Sequence, residues 1–410
     1  MIRVFGISFV MLLTLTGCWD KLELEEQAYV VVMGIDKSEQ ENALDITFQI
    51  ANPQVGSTDR AQSEQEPASE IVTLTVPDVV SAKDTANAVV TRKITLSHLK
   101  NIIISSELAE SGGIGELVSS IMMDRQMRRG IHMLVSEERA SDFIRNSDSK
   151  LETRPHKYYE LMQLRWEENG MVPYSTINQY LQQSDGKNAP FLMAYATAEE
   201  KEEHYGKEDE YTPGEMFIQG GDQVQVIGAK VIKEGKMIGT LTGEQTRLAT
   251  LLRRGSRANH WFATFKDPLS EGDRVTARIL KDERLKVDID TDKDPLVISA
   301  KVPLKVQLAS VPSQIDFVMD QKKQDILISS IEETLEKEAM QLIKHTQEEY
   351  KDDLFLWYLE SRKNFRTTSD FYKYDWEEKY PQADVHVTFE VTLESFGNRL
   401  KTMELNGKGK

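Results

Sequence analysis

The only cysteine of this 410-residue chain, Cys18, stands directly after an apolar N-terminal stretch. Arg3 precedes a mostly apolar run over residues 4–15, and small residues separate that run from the cysteine. A positive start, a short apolar segment and small residues form the order of an export signal. Because the run is too short to cross a bilayer comfortably, residues 1–17 are predicted to be a lipoprotein signal peptide.

The four residues Leu15-Thr16-Gly17-Cys18 are similar to a bacterial lipobox. In that motif the thiol receives a diacylglyceryl group, and cleavage before the cysteine makes it the new N-terminus. We therefore predict that Cys18 is the lipidation site and that residues 18–27 form a lipidated tether outside the cytoplasmic membrane. The alternative interpretation is a buried or free cysteine. Two acyl chains hold a protein stably on a membrane, whereas one chain binds with only about 10⁴ M⁻¹.

The overall composition narrows the classes of function. Lys and Arg total 50 and Asp and Glu total 67, which gives a formal net charge of −17. Since phosphate binding needs cations, nucleic acid is not expected as a partner. The same charge predicts repulsion from anionic lipid head groups, and no polybasic segment accompanies Cys18. With 40% hydrophobic and 29% charged residues, the chain is predicted to be a water-soluble body whose membrane contact is the anchor.

Common enzyme signatures do not occur in the sequence. It has no phosphate loop, no Gly-x-Gly-x-x-Gly fingerprint, no Gly-x-Ser-x-Gly elbow and no His-Glu-x-x-His helix. A single cysteine cannot build a cysteine-rich zinc site, and the seven histidines lack the i, i+4 spacing that places two imidazoles on one metal. We therefore predict that the chain is not an enzyme, with no catalytic residue, no cofactor and no metal site.

Three charged groups have both a functional and a structural interpretation. Asp288, Asp290, Asp292 and Asp294 could suggest calcium, but an EF-hand loop would need glycine and glutamate at positions that hold other residues, so a polar turn over 291–295 is favoured. The acidic run over 199–210 is interpreted as a solvated linker. Arg253, Arg254 and Arg257 are interpreted as cations that offset the negative end of a helix.

Hydrophobic patterning predicts an α+β fold with three mixed α/β domains in a lipid-anchored ectodomain. The predicted parts are an N-terminal α+β domain over 28–198, an acidic linker over 199–215, a small middle domain over 216–255 and a C-terminal α+β domain over 256–410. The middle domain contains a hairpin over 224–240 and a helix over 244–254. The last domain contains a long helix with an i, i+4 apolar stripe, formed by Leu327, Ile331, Leu335, Ala339 and Ile343.

Several separate strings resemble the Ger(x)C family of spore germination lipoproteins. They are Leu15 to Asp20, Gly34-Ile35-Asp36, Ser97 to Ala109, Asp124 to Ser136, Gly228 to Ile232 and Met237 to Glu244. The resemblance implies a non-enzymatic C subunit of a nutrient germinant receptor with a three-domain α+β fold. It also implies a position on the outer face of the spore inner membrane, beside integral-membrane receptor subunits of the A and B types.

Three functions are therefore compared. The leading hypothesis is a receptor-assembly protein that presents surfaces to the membrane subunits while Cys18 fixes its height above the bilayer. The alternative is a lipid-anchored extracytoplasmic solute-binding protein, which would need a concave pocket with convergent polar groups. A surface hydrolase is least favoured, because the residues suggest no pair of nucleophile and base. Whether the chain binds a small-molecule germinant directly is left open.

Overall fold

The structure is a computed structural model of the chain. It describes residues 26–52, 67–147, 152, 154–184, 189–201, 210–255, 260–281 and 284–394. Within these residues the chain forms two β-sheets with helices packed against them. The mixed α/β fold class is therefore confirmed in this coarser form, as a protein built on two sheets.

The strands of the first sheet come from the first 241 residues. They are β1 (Gln27–Lys37), β2 (Leu44–Ala51), β3 (Ser69–Val76), β4 (Lys93–Thr95), β5 (Asn101–Ser105), β6 (His132–Ser136), β7 (Phe191–Thr197), β8 (Gln225–Lys233) and β9 (Lys236–Leu241). Their order is β3-β2-β1-β5-β6-β7-β8-β9, and β4 pairs with the start of β1. Neighbours among β1, β5, β6 and β7 are parallel, so these four strands all begin at one edge of the sheet.

The second sheet is built from the last third of the chain. Its strands are β10 (His260–Lys266), β11 (Arg274–Lys281), β12 (Lys286–Asp290), β13 (Val297–Ser310) and β14 (Asp384–Leu393). The order is β10-β11-β13-β12, and β14 pairs in parallel with β13. The strands on the two sides of β13 thus come from segments far apart in sequence.

Helices connect and cover these strands. They are α1 (Val79–Ala86), α2 (Ser106–Ser111), α3 (Ile114–Ile121), α4 (Ala140–Asn146), α5 (Pro155–Asn169), α6 (Ile177–Ser184), α7 (Gly243–Leu251), α8 (Gln321–His345), α9 (Trp357–Ser361), α10 (Thr368–Lys373) and α11 (Trp376–Lys379). Asp78 caps α1, where its carboxylate accepts the N–H of Ser81 at 2.8 Å, as an N-cap residue should. Gly112 and Gly113, both with positive φ, separate α2 from α3.

The predicted apolar stripe of the long helix forms the centre of the second half. All five of its residues are buried in α8, which packs against β14. Buried leucine and isoleucine side chains each stabilise the fold by about 1.5–3 kcal/mol. The same core includes Ala229, Val231 and Leu241 of β8 and β9. The two sheets are therefore joined through a common hydrophobic core.

The hairpin of the predicted middle domain completes the first sheet instead of forming a sheet of its own. Strand β8 pairs with β7 on one side and with β9 on the other. Helix α7, from the same segment, packs in the core of the second half. Three separate sheets are thus not found in the described chain, whereas the predicted domain boundaries stay a prediction.

Candidate functional site

The predicted lipidation site, Cys18, lies outside the described residues, together with the predicted signal peptide 1–17 and residues 18–25 of the tether. Lipidation of Cys18 therefore stays a prediction. The described chain begins at Glu26 and enters β1 at Gln27. Gln27 pairs with Lys93, the first residue of β4. The tether therefore joins the body at the edge where the parallel strands begin.

The four aspartates considered for calcium do not form a metal site. Asp288 and Asp290 belong to β12, and Asp292 and Asp294 belong to the turn that leads into β13. Asp290 forms an ion pair with Lys293 at 3.6 Å. In the part of the chain that the structure describes, no three His, Cys, Asp or Glu side chains come close enough to hold a metal ion. The favoured polar turn is confirmed.

Gly34 and Asp36 attach helix α4 to the first sheet. The fully buried Asp36 carboxylate accepts the backbone N–H groups of Ala140 at 2.7 Å and Ser141 at 3.0 Å. These amides open α4, where a negative charge also offsets the positive end of the helix. A Cβ at Gly34 would lie 2.8 Å from the terminal methyl of Ile144 and 3.1 Å from the Ala140 Cβ, so the close approach of α4 favours glycine. These two residues of the Gly34-Ile35-Asp36 string therefore have a structural role.

A charge cluster lies beside the end of β6, with Lys230 and Tyr195 buried and Glu137 and Lys201 partly exposed. Glu137 accepts a hydrogen bond from the Tyr195 hydroxyl and forms ion pairs with Lys230 at 3.4 Å and Lys201 at 3.5 Å. The Lys230 ammonium also lies 3.8 Å from the centre of the Tyr195 ring and donates to the Thr240 hydroxyl at 3.1 Å. Burial alone would raise the pKa of Glu137, but Tyr195 and the two lysines lower it. Burial lowers the pKa of Lys230, which makes its acidic partner necessary.

The second half of the chain contacts the β8–β9 hairpin through a short π-helical turn after α8. The Tyr350 side chain covers Gly239 so closely that a Cβ there would overlap two ring carbons and the hydroxyl oxygen. The Tyr350 hydroxyl donates to the Thr240 carbonyl at 3.3 Å. Lys233 of β8 forms an ion pair with the buried Asp352 at 2.7 Å. We call Lys233, Gly239, Thr240, Tyr350 and Asp352 the hairpin junction.

Asp353, the next residue, organises the loop that leads into α9. Its buried carboxylate accepts the N–H of Phe355 at 2.7 Å and of Tyr358 at 3.0 Å. Arg253 donates from Nε to the Leu354 carbonyl at 2.7 Å. Burial raises the pKa of Asp353 to about 7 and lowers the pKa of Arg253 to about 10. This loop and the residue that follows α7 are therefore buried together.

The arginines after α7 have partners that the sequence did not indicate. They were assigned to the helix end, but Arg253 binds the loop after Asp353, and Arg254 pairs with Glu360 of α9 at 2.9 Å. Arg257 lies outside the described residues. The Trp357 indole also donates to the Leu252 carbonyl at 3.0 Å. These contacts attach α7 to the C-terminal half.

A groove of about 540 Å³ lies between α7, β10 and α8. Its lining combines the aromatic residues Trp261 and Phe265 with charged side chains of both signs, which are Arg247, Lys266, Arg274, Lys337, Glu210, Glu244 and Glu338. Apolar and aromatic walls with a few charged groups are typical of small-molecule sites. This groove was not expected from the sequence, because one of its walls is β10 and that strand was not predicted.

Two known protein families match successive parts of the chain. Residues 20–197 match the family described as "Spore germination protein N-terminal domain", and residues 227–397 match "Spore germination B3/ GerAC like, C-terminal". The first match covers the first sheet up to the end of β7, and the second covers the remaining strands apart from the first residues of β8. Both matches lie in sequence order and leave little of the described chain uncovered.

Individual relatives show the same pattern. The chain is 19% identical over 399 residues to "Putative spore germination protein YfkR" of Bacillus subtilis (strain 168), which covers 97% of each chain. It is 21% identical over 405 residues to "Spore germination protein B3" of the same organism, covering 96% of this chain and 97% of the relative. The crystal structure of the GerBC protein aligns with a TM-score of 0.54 and 17% identity, over 88% of this chain and 96% of that one. At this identity the structural likeness shows the fold alone.

Proposed function

The chain belongs to the GerAC/B3-like family of spore germination proteins, and from this premise we propose that it is the non-enzymatic lipoprotein subunit of a nutrient germinant receptor. The observation that carries the proposal is that the two family matches together contain both sheets.

In the proposed receptor, Cys18 carries the lipid and holds the body on the outer face of the spore inner membrane. Integral-membrane subunits of the A and B types are the partners. The body acts through contact, and the hairpin junction supports this role because it makes the two sheets one unit. A force applied by a partner at one sheet is then passed to the other. No helix among the described residues is long and apolar enough to span a bilayer.

The anchor is tested by substituting the cysteine in the full chain. Cys18→Ala is expected to move the protein from the membrane fraction to the soluble fraction and to reduce nutrient-triggered germination. Thr16→Ser is the matched control, because it keeps a small residue before the cleavage position. A Cys18→Ala protein that stays in the membrane and supports normal germination would contradict the proposal.

The partners are tested by purification of the tagged, lipidated chain from spore membranes. Integral-membrane subunits should co-purify with it under mild detergent. Recovery of the lipidated chain without any integral-membrane protein would contradict the assembly function, whatever the state of Cys18.

A second function, capture of a nutrient solute, is favoured by the groove between α7, β10 and α8. An aromatic residue beside charged side chains of both signs suits a small molecule with an apolar part and both an ammonium and a carboxylate group. Calorimetric titration with amino acids and sugars tests this function. Binding that is lost in Trp261→Ala but kept in Phe262→Ala, a change at the exposed neighbour on the same strand, would support it. The absence of heat with every nutrient would exclude it.

A further inference from the structure

Six basic residues collect at the edge of the first sheet where the tether enters. They are Arg92, Lys93, Lys100, Arg125, Arg128 and Arg129, and we call them the basic edge. We propose that the basic edge binds the anionic phospholipid head groups of the bilayer that carries the anchor and so orients the body on the membrane. This inference rests on the proposed anchoring at Cys18.

Backbone pairing places these residues beside the start of β1. Lys93 is paired with Gln27, the first residue of that strand. The Lys100 N–H donates to the Val31 carbonyl at 3.0 Å, and the Lys100 carbonyl accepts the N–H of His132 at 2.9 Å. Lys100 thus stands where β5 and β6 both begin, on the same edge as the entry point of the tether.

The loop before β6 is fixed against this edge by Gln126. Its side-chain oxygen accepts the N–H of Leu96 at 2.9 Å. Arg125 and Arg128 flank this contact in sequence. His98, which lies in the turn held by Gln126, has its pKa lowered by burial and then by the nearby charges of Arg128 and Lys100. Arg128 and Lys100 therefore both lie near His98, although they are far apart in the chain.

The charge of the basic edge is not neutralised by the described protein. Five of the six side chains are exposed and Arg92 is half-buried. Across the described ranges, none of the six forms an ion pair. Asp124, which directly precedes Arg125 in sequence, is already bound to the Lys83 ammonium at 2.8 Å and so does not offset the six cations. A local excess of positive charge in a chain of net charge −17 attracts an external anionic surface.

Exposed apolar side chains adjoin the cations. Met123 is 81% exposed and Val89 is 64% exposed. Met123 directly precedes Asp124, and Val89 lies just after α1, where the Asn87 side chain accepts the N–H of Ile94 at 2.8 Å. Cations mixed with exposed apolar groups are typical of surfaces that lie in the membrane interface, because head groups bind the charges and the acyl boundary accepts the apolar groups.

The length of the tether favours a bilayer over a distant partner as the surface that the basic edge binds. An extended chain spans at most about 3.3–3.6 Å per residue, so residues 18–26 reach at most about 30 Å. The lipid-bearing sulfur therefore cannot be further than this from the start of β1, and the basic edge is held close to the head groups. Confinement at this distance allows several weak electrostatic contacts to act together.

The test uses the processed chain, residues 18–410 with Cys18→Ser, which contains both family-matched segments and carries no lipid. Vesicles of phosphatidylcholine alone are compared with vesicles that hold phosphatidylglycerol in roughly equal parts. Co-sedimentation is expected with the anionic vesicles only and should weaken as salt is raised from about 50 to about 200 mM, because screening shortens the reach of the charges.

Substitutions locate the binding surface. Each basic residue near an anionic membrane contributes roughly five-fold in affinity, so the triple variant Lys100→Gln, Arg128→Gln, Arg129→Gln should bind roughly 100-fold more weakly. The matched control removes three exposed cations of the second half, at Lys322, Arg366 and Lys373, and should bind as the parent does. Equal binding to both vesicle types, no binding to anionic vesicles, or an equal loss in the control would overturn the inference. Since this chain has no lipid, the outcome is independent of whether Cys18 is lipidated.

Discussion

Substitution of Gly239 by alanine tests whether the hairpin junction couples the two halves of the protein. Gly239 is not among the residues with positive φ, so alanine brings no backbone strain. Its methyl group would, however, overlap the Tyr350 ring. The ring must then leave its place on β9, and its hydrogen bond to Thr240 is lost.

The expected loss of stability in Gly239→Ala follows from these two contacts. Overpacking costs about 1–3 kcal/mol, and loss of a hydrogen bond costs about 1 kcal/mol. We therefore expect Gly239→Ala to lower the free energy of unfolding by about 2–4 kcal/mol. Gly130→Ala is the matched control, since a Cβ at Gly130 meets no atom within 4 Å and its φ is ordinary. It should change stability by less than about 1 kcal/mol.

A double-mutant cycle separates the ring contact from other effects. Tyr350→Ala removes the ring and leaves room for the methyl group at Gly239. In that background Gly239→Ala should cost almost nothing, which gives a coupling energy of about 2 kcal/mol. Urea unfolding of the parent, the two single variants and the double variant measures this coupling energy. The comparison requires that the dependence of the unfolding free energy on urea concentration has the same slope in all four proteins. Additive costs for the two changes would refute the contact, and full germination of spores that carry Gly239→Ala would refute its role in coupling.

Three further changes test the buried charges of the fold. Asp36→Ala should destabilise the protein by about 2–3 kcal/mol in urea unfolding, because two N–H groups of α4 lose their acceptor, whereas the exposed Asp84→Ala should be nearly neutral. The pKa of Asp353 is raised from 3.8 to about 7 in the folded state, so its stabilising contribution is present below pH 4 and is lost as pH rises through 7. From about pH 5 to about pH 8, the free energy of unfolding of the parent should fall by roughly 3 kcal/mol relative to that of Asp353→Asn. If the unfolding free energies of the two proteins changed with pH in the same way, the raised pKa of Asp353 would be contradicted. Glu137→Gln should cost about 1–2 kcal/mol, since the buried Lys230 ammonium loses a carboxylate partner that is itself partly exposed to solvent, and Lys230→Met should cost less; the reverse order in thermal or urea unfolding would contradict the cluster.

Most elements with a strong local pattern were predictable from the sequence. The capped helix α1, the glycine break between α2 and α3, the hairpin β8–β9 and the stripe of α8 all lie where local periodicity and turn residues place them. In each case, residues close in sequence determine the structure. Short elements such as β4 and α9 to α11 were missed, because their few residues carry no period of their own.

The candidate sites were less predictable, since they join distant segments. The groove depends on β10, whose residues show no clean alternation, packed beside two helices from other parts of the chain. The hairpin junction joins Gly239 to Tyr350, and only the fold shows why glycine is needed there. The glycine itself gave a signal as part of a family-like string, but the sequence could not show which side chain covers it.

The sequence by itself determined the family, the apolar N-terminal run that ends at Cys18, the negative net charge and the regular elements with strong patterns. Each of these properties depends on composition or on neighbouring residues. The tertiary structure decided the strand order, the shared core of the two sheets and the collection of cations in the basic edge. Lys93, Lys100 and Arg128 are separated along the chain by acidic and apolar residues, so the net charge of the sequence does not reveal that they lie together. Parallel pairing aligns the starts of distant strands, and this alignment brings Lys93, Lys100 and the loop before β6 to the same edge of the sheet.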